Sequence, residues 1–200
     1  MSICSDGYSP SSQQDQLQKL QARIAELEAE NQLLQYQVVT DDLTGIYNRR
    51  GFSISLSQEW RRCIRRQEPM SLILIDIDRF RTYNDHKGRA GGDMLLRHLA
   101  QVFISIPKRA GDIIARYGGD EFACILPDTD SRGADTLAST MRVRANHAGV
   151  SISGGIASAV PSQDQEPELL IEAADAALHK AKGQGHNRVL SVSIAAPGQA

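Results

Sequence analysis

The chain has 200 residues, of which 41% are hydrophobic, and a formal net charge of -2. This length suits one globular domain plus an extension, and the hydrophobic fraction is enough for a packed core. The balanced charge excludes the broad basic surface expected of a protein that binds duplex DNA or RNA. No apolar run approaches the roughly 20 residues of a membrane span, and the start lacks a signal-peptide pattern.

Cysteine and histidine usage predicts neither disulfides nor zinc. Cys4, Cys63 and Cys124 are odd in number and far apart, which favours reduced thiols in a cytoplasmic protein. The five histidines show no HExxH or clustered spacing.

The N-terminal extension has two parts. Residues 1–12 are rich in Ser, Gly and Pro and are predicted to be disordered. Residues 13–39 show a heptad repeat, whose a and d positions hold Leu17, Leu20, Ile24, Leu27, Asn31, Leu34 and Val38. An asparagine at one a position is typical of a parallel two-stranded coiled coil, in which Arg23 would face Glu28 of the partner helix. The alternative is a single amphipathic helix packed on the domain.

The globular part is predicted to cover 40–195, followed by a tail at 196–200. Its first half begins with a helix that runs to about Arg66. One face of this helix is basic, and solvation is its default interpretation. A buried strand then covers 71–78, followed by a polar, glycine-rich segment at 79–92 and a helix that Asp93 opens.

Two apolar runs flank Gly118 and Gly119, which predicts a β-hairpin with its glycines at positive φ. Asp120 and Glu121 follow at once. Adjacent acids on such a turn repel each other, so a bound cation is the simplest explanation for them.

The second half alternates helices and strands. Helices are predicted over 131–147 and 166–182, and strands over 150–160, broken by Gly154 and Gly155, and over 189–194. The predicted fold class is therefore α+β, with a mixed sheet flanked by helices.

The acids and amides indicate nucleotide chemistry. Asp76 at a strand end and Asp120 or Glu121 at the turn would form a hard-oxygen site for Mg²⁺, with one or two ions acting on a nucleoside triphosphate. Of the neighbouring acids, Asp76 and Asp78, one would face the metal while the other caps a turn. Several polar groups remain for the nucleotide: Asn84 and Asp93 for a guanine edge, with a plain N-cap as the alternative for Asp93, and Lys182 for phosphate.

These residues lie in a series of motifs, in the right order, that resembles the GGDEF-domain diguanylate cyclases over about residues 40–190. The motifs are Asp41-Asp42-Leu43-Thr44-Gly45, Asn48-Arg49-Arg50, Asp76-Ile77-Asp78-Arg79-Phe80, Asn84-Asp85, Gly92-Asp93, Gly118-Gly119-Asp120-Glu121-Phe122, Ala174-Asp175 and Asn187-Arg188. The resemblance implies a palm-like sheet and condensation of two GTP into cyclic di-GMP with release of two pyrophosphates. Two domains must face each other for this reaction, so the coiled coil implies a homodimer.

The resemblance also assigns roles to single residues. Asp76, the Ile77 carbonyl and Asp120 would hold two Mg²⁺ ions, or Mn²⁺ in their place, with Glu121 assisting, and Asp120 would activate the 3′-hydroxyl. Further residues would bind GTP: Asn84 and Asp93 at guanine, Lys182 at phosphate, and Arg81 and Arg89, which stand where the family usually has Lys and His.

Arg109 and Asp112 match the family's RxxD inhibitory site for cyclic di-GMP. A plain surface ion pair is the alternative for these two residues. Two other functions compete with catalysis: a cyclic di-GMP receptor with little turnover, and a GTP-binding regulatory domain.

Overall fold

The computed structural model describes residues 14, 16–27, 39–107, 109 and 111–194. The chain divides into two compact units, Met1–Val38 and Val39–Ala200. In the first unit, residues 16–27 are helical, and four predicted heptad residues are 47% to 57% exposed: Leu17, Leu20, Ile24 and Leu27. Arg23 pairs with Glu26 on the same helix at 2.6 Å. Residues 1–12, the heptads after residue 27 and the tail at 196–200 lie outside the described residues, so the coiled coil stays a prediction.

The second unit is built on a five-stranded mixed sheet with the order β2-β3-β1-β4-β5. The strands are β1 (Met70–Ile77), β2 (Ile113–Arg116), β3 (Glu121–Pro127), β4 (Ile152–Ala159) and β5 (Val189–Ser193). Strand β1 pairs antiparallel with β3 and β4, β2 pairs antiparallel with β3, and β5 pairs parallel with β4. The predicted α+β class with a mixed sheet is confirmed.

Four helices cover the two faces of the sheet: α1 (Arg49–Arg66), α2 (Phe80–Ile104), α3 (Ser131–His147) and α4 (Glu168–Gly183). Side chains of a strand alternate between faces, and β1 is buried on both. Ile73, Ile75 and Ile77 belong to one hydrophobic cluster, which includes residues of α2 and α3. Leu72 and Leu74 belong to the other, which includes residues of α1 and α4. The C-terminal end of β1 is therefore held in place by a core that packs on both faces of the strand.

Two predicted helices have the ends that their capping residues dictate. Asn48 precedes α1 and accepts a hydrogen bond from the Gly51 N–H at 3.0 Å, and the helix ends at Arg66 as predicted. Asp130 accepts from the Gly133 N–H at 2.9 Å in front of α3, which spans the predicted residues.

The prediction that Asp93 opens a helix is wrong. Helix α2 spans Phe80–Ile104 and consists of two helical segments that meet at a kink at Gly88, where φ is 73° and ψ is 164°. Only glycine adopts this conformation readily, so Gly88 ends the first helical segment, and the second segment begins before Asp93. Asp93 lies inside α2, which removes the N-cap explanation for its carboxylate.

The prediction that Gly154 and Gly155 break their strand is also wrong, since β4 runs through both. A Cβ on Gly155 would collide with the backbone of α4 at Ala174 and Leu178. The glycine is therefore explained by the close approach of helix and strand.

The described residues contain no helix that is long and apolar enough to cross a membrane.

Candidate active site

The end of β1 and the start of β3 bring the predicted acids together. Asp76 and Glu121 are register partners in the β1–β3 ladder. One residue further on, the Ile77 N–H donates to the Asp120 carbonyl at 3.3 Å. The pairing of β1 with the hairpin strand therefore places the backbones of Asp76, Ile77, Asp120 and Glu121 at one end of the sheet.

The turn between β2 and β3 differs from the predicted one, because neither Gly118 nor Gly119 has a positive φ. The N–H groups of Tyr117 and Gly118 both donate to the Glu121 carbonyl, at 2.8 and 3.2 Å. A Cβ on Gly118 would meet the carboxylate of Glu121, whereas one on Gly119 would have no described atom within 4 Å. The first glycine leaves room for the Glu121 carboxylate, and its backbone conformation does not require a glycine.

In this cluster of Asp76, Asp120 and Glu121, nearby positive charge does not balance the carboxylates. Burial raises the pKa of Asp76; the ion pair with Lys182, 2.8 Å away, opposes this shift, and repulsion from Asp120 and Asp78 adds to it. The net pKa is above its usual range. A positive charge placed here would relieve the repulsion.

Glu121 shows the same effect. Burial is the largest cause that raises its pKa, and the charge of Asp76 adds to it; Lys182 opposes the shift, and Asp120 and Asp175 increase it. One lysine therefore does not compensate the gathered carboxylates.

The donor set fits Mg²⁺ chemically. Among the described residues no group of three or more His, Cys, Asp or Glu side chains is arranged to hold a metal ion. Mg²⁺ does not need such a group, since it is usually held by one or two carboxylates together with water and phosphate oxygens. Asp76, Asp120 and the Ile77 carbonyl are hard oxygen donors of this kind.

Asp78 is the acid that fixes a turn. Its buried carboxylate accepts hydrogen bonds from Ser153 Oγ at 2.6 Å and from the Asn187 N–H at 2.9 Å. His186 and Asn187 both have positive φ, 63° and 49°. Asp78 thereby holds the loop that follows Lys182.

The two residues predicted to bind the guanine edge both lie on α2. Asn84 precedes the kink at Gly88, and Asp93 follows it. The Oδ1 atom of Asn84 is buried and accepts no hydrogen bond from any described residue. A Cβ on Gly92 would collide with this atom, so the amide lies directly beside the residue that precedes Asp93. A buried acceptor without a protein donor is satisfied by a donor from a ligand or from a water molecule.

The remaining predicted residues lie at the edge of this site or away from it. Arg81 and Arg89 are exposed on α2. Asp112 accepts from the Arg109 N–H at 3.1 Å. The Arg109 guanidinium donates to the Asp128 carbonyl and, at 3.2 Å, to Thr129 Oγ1. Its ion pair is with Asp128, at 3.7 Å, and its side chain is 59% exposed.

Three residues near the site had no role in the sequence analysis. Asp175 on α4 acts on the pKa of Glu121, and Arg116 joins Asp41 to the turn. All three lie in or next to the recognised motifs, which is the only sequence feature that marks them.

The family and its relatives agree with this geometry. The family model described as "Diguanylate cyclase, GGDEF domain" matches residues 38–188. The response regulator PleD of Caulobacter vibrioides is 38% identical over 165 residues, which are 76% of this chain and 36% of PleD. The probable diguanylate cyclase DgcC of Escherichia coli is 36% identical over 163 residues, 78% of this chain and 43% of DgcC. The chain thus spans well under half the length of these curated relatives.

Among solved structures, the coiled coil and GGDEF domain of DgcB from Caulobacter crescentus, in complex with c-di-GMP, has a TM-score of 0.81 and 26% identity. The match covers 90% of this chain and all of that one. The fold, the placement of the GGDEF turn beside β1 and the extent of the family match lead to one conclusion: the chain belongs to the GGDEF domain family.

Proposed function

We propose that this protein is a diguanylate cyclase, which condenses two GTP into cyclic di-GMP and releases two pyrophosphates. The observation that carries the proposal is the cluster of Asp76, Asp120 and Glu121, in which burial and mutual repulsion raise the pKa of two carboxylates. Relatives named diguanylate cyclases, such as DosC of Escherichia coli at 35% identity, support the assignment.

Asp76, Asp120 and the Ile77 carbonyl would hold the metal, with Glu121 assisting. The chemistry that two Mg²⁺ ions, or Mn²⁺ in their place, supply when bound is activation of the 3′-hydroxyl and neutralisation of the leaving pyrophosphate. Asp120 is the residue that we assign to the 3′-hydroxyl, as the resemblance to the family implies.

The other residues bind and orient GTP. Asn84 Oδ1 and the Asp93 carboxylate would accept hydrogen bonds from the two adjacent N–H groups of the guanine edge. The ammonium of Lys182, 2.8 Å from Asp76, would contact phosphate oxygens. Arg81 and Arg89 on α2 would add positive charge beside the nucleotide.

Each domain would hold one GTP, so a second copy of the chain must supply the other. The predicted coiled coil would keep two domains near each other and raise their effective concentration. A cytoplasmic location is likewise part of the proposal, since GTP is the substrate.

The test is product formation by the full chain with GTP and Mg²⁺, with the product identified by mass spectrometry. Asp120→Asn should lower the rate by about 100-fold or more, because it removes charge at the reacting centre. The matched control is Asp164→Asn, which changes an exposed acid elsewhere. An inactive wild type at high protein concentration would refute the proposal.

A receptor for cyclic di-GMP is the second candidate, and the exposed guanidinium of Arg109 favours it. A receptor would bind cyclic di-GMP tightly, would lose this binding in Arg109→Ala and would make no product. Binding of GTP without turnover or dimerisation would instead indicate a GTP-binding regulatory domain.

A further inference from the structure

The turn that carries Asp120 is tied to the start of the domain through one guanidinium. Arg116 is the last residue of β2, and its Nε and Nη2 donate to the Gly119 carbonyl at 3.1 and 2.7 Å. Its Nη1 donates to both carboxylate oxygens of Asp41, at 3.1 and 3.2 Å. The two side chains are only 16% and 22% exposed. Arg116 therefore bridges two segments that are distant in sequence.

Asp41 is itself held in place. Its Oδ1 accepts from the Thr44 N–H at 3.0 Å and from Thr44 Oγ1 at 2.7 Å, and its own N–H donates to the Ile46 carbonyl at 2.8 Å. Burial raises the pKa of Asp41, but the hydrogen bonds from Thr44 and Arg116 and the guanidinium charge bring it below its ordinary value. Arg116 thus rests on a fixed anion.

The backbone supports the same connection. The Arg116 N–H donates to the Tyr47 carbonyl at 2.7 Å, and Tyr47 forms a parallel bridge with Ala115. The loop that contains Asp41 is thereby held along the edge of β2. The planar guanidinium is preorganised to donate to both partners at once, and this lowers the entropic cost of holding it there.

The contact with Gly119 bears directly on Asp120. The Gly119 carbonyl belongs to the peptide group whose nitrogen is that of Asp120, so fixing the oxygen fixes the plane of this peptide. On its other side, the Asp120 carbonyl accepts from the Ile77 N–H at 3.3 Å. Gly119 is exposed and a Cβ there would have no described atom within 4 Å, so side-chain packing does not hold the turn at this point.

We propose that Arg116 is a positioning residue: anchored on Asp41, it holds the Gly119–Asp120 peptide so that the Asp120 carboxylate points toward the cation and the 3′-hydroxyl. This inference rests on the proposed cyclase function. It assigns Arg116 no contact with the substrate, and it predicts an effect on metal binding and turnover more than on GTP binding.

The experiment compares Arg116→Lys, Asp41→Asn and the wild type as full chains. Lysine keeps the charge but cannot serve Gly119 and Asp41 at once. Residues that orient metal ligands typically change metal affinity or activity by 10- to 100-fold, so we expect Mn²⁺ to bind Arg116→Lys about 10-fold more weakly without nucleotide. A misplaced catalytic group should lower kcat by about 100-fold, with a much smaller change in the KM for GTP.

Asp41→Asn keeps the contact between Arg116 and Gly119 but removes the anchoring charge, so its losses should lie between those of the wild type and Arg116→Lys. The matched control is Arg66→Lys, because Arg66 is an exposed arginine whose side chain pairs with Glu68 at 3.6 Å. It should match the wild type in Mn²⁺ affinity and in kcat. Thermal unfolding of each variant checks that it is folded.

The inference is overturned if Arg116→Lys binds Mn²⁺ as tightly as the wild type, if its KM rises as much as its kcat falls, or if Arg66→Lys loses as much. Should Arg116→Lys not fold, the same measurements on Asp41→Asn decide the question. A wild type that binds Mn²⁺ but makes no cyclic di-GMP refutes the proposed function, while the Mn²⁺ comparison still tests the role of Arg116.

Discussion

The two ends of the β2–β3 hairpin differ in how their charged side chains are arranged. At the turn, Asp120 and Glu121 lie beside Asp76 at the end of β1, and the pKa values of Asp76 and Glu121 are raised. At the open end, before β2, the exposed cation of Arg109 already has the carboxylate of Asp128 within 3.7 Å. One end gathers carboxylates beside Lys182, whereas the other presents the exposed guanidinium of Arg109 beside the carboxylates of Asp112 and Asp128.

This difference indicates which ligand each end suits. The carboxylates at the turn are gathered by separate elements, β1 and β3, with Lys182 of α4 as a nearby cation, so the fold itself maintains their repulsion. A metal ion would relieve it. The side chain of Arg109 at the open end is 59% exposed, and such exposure is what binding of cyclic di-GMP there would need.

The largest expected effect comes from removing one charge at the turn. Glu121→Gln should lower product formation by about 100-fold, because it weakens the electrostatic stabilisation at the reacting centre. It should also raise the Tm of the metal-free protein, because it removes the repulsion between Glu121 and Asp76. Rates and thermal unfolding measure the two effects.

The control for this prediction is Glu172→Gln, an exposed acid on α4, which should change neither quantity. A Glu121→Gln variant with a lower metal-free Tm would show that the carboxylates at the turn do not destabilise the fold.

At the open end, Arg109→Ala should weaken binding of cyclic di-GMP by about 10-fold or more, the effect of losing about 1.4 kcal/mol of charge-assisted hydrogen bonding. The affinity for Mn²⁺ should stay the same, since the acids lie at the other end of the hairpin. Titration calorimetry measures both, with Arg144→Ala, an exposed arginine on α3, as control. Equal loss of both affinities would mean that the two ends do not bind separate ligands.

The dependence of stability on pH gives a smaller effect. The folded-state pKa of Glu121 lies above the ordinary value of 4.5, so between these two values the folded state binds more protons than the unfolded state. The contribution of Glu121 to the free energy of unfolding of the metal-free protein should therefore fall as the pH rises through this window.

This contribution is the difference between the wild type and Glu121→Gln, measured by denaturant titration at several pH values. It should shrink when Mg²⁺ is added, because the ion stabilises the ionised carboxylates. A wild type that gains stability relative to Glu121→Gln as the pH rises through the window would contradict the raised pKa.

The sequence predicts those features that depend on local patterns. The ends of α1 and α3 follow from Asn48 and Asp130, and the central strand follows from an apolar run that ends in Asp76. The mixed sheet follows from a hairpin among alternating helices and strands. The meeting of Asp76 with the acids of the turn is expected because functional groups gather at strand ends, and the structure brings their backbones together.

Features that depend on pairing between distant segments were not predictable. Asp41 and Arg116 are 75 residues apart, and nothing local marks them as partners. Whether Lys182 reaches Asp76 depends on how α4 packs on β4. Glycine content also predicts breaks where there are none: the second segment of α2 runs through Gly92 and β4 runs through Gly155, and both glycines make room for a neighbour.

The two glycines of the turn give the smallest expected effect and the sharpest contrast. Neither has a positive φ, so alanine is compatible with both backbones. Gly119→Ala should raise the free energy of unfolding by about 0.4–1 kcal/mol, because it restricts the unfolded chain and meets no described atom. Gly118→Ala should lack this gain, since its Cβ would displace the carboxylate of Glu121.

The role of Glu121 in this contrast can be isolated by making both glycine variants in a Glu121→Ala background, with denaturant titration of the metal-free proteins. If the carboxylate is what limits space at Gly118, the two glycine variants should then become equally stable, and the double-mutant cycle should assign their difference to the pair of residues 118 and 121. A difference that persists would place the constraint in the backbone of the turn. The hairpin prediction made from the sequence, that glycine is required there for its conformation, would then be partly restored.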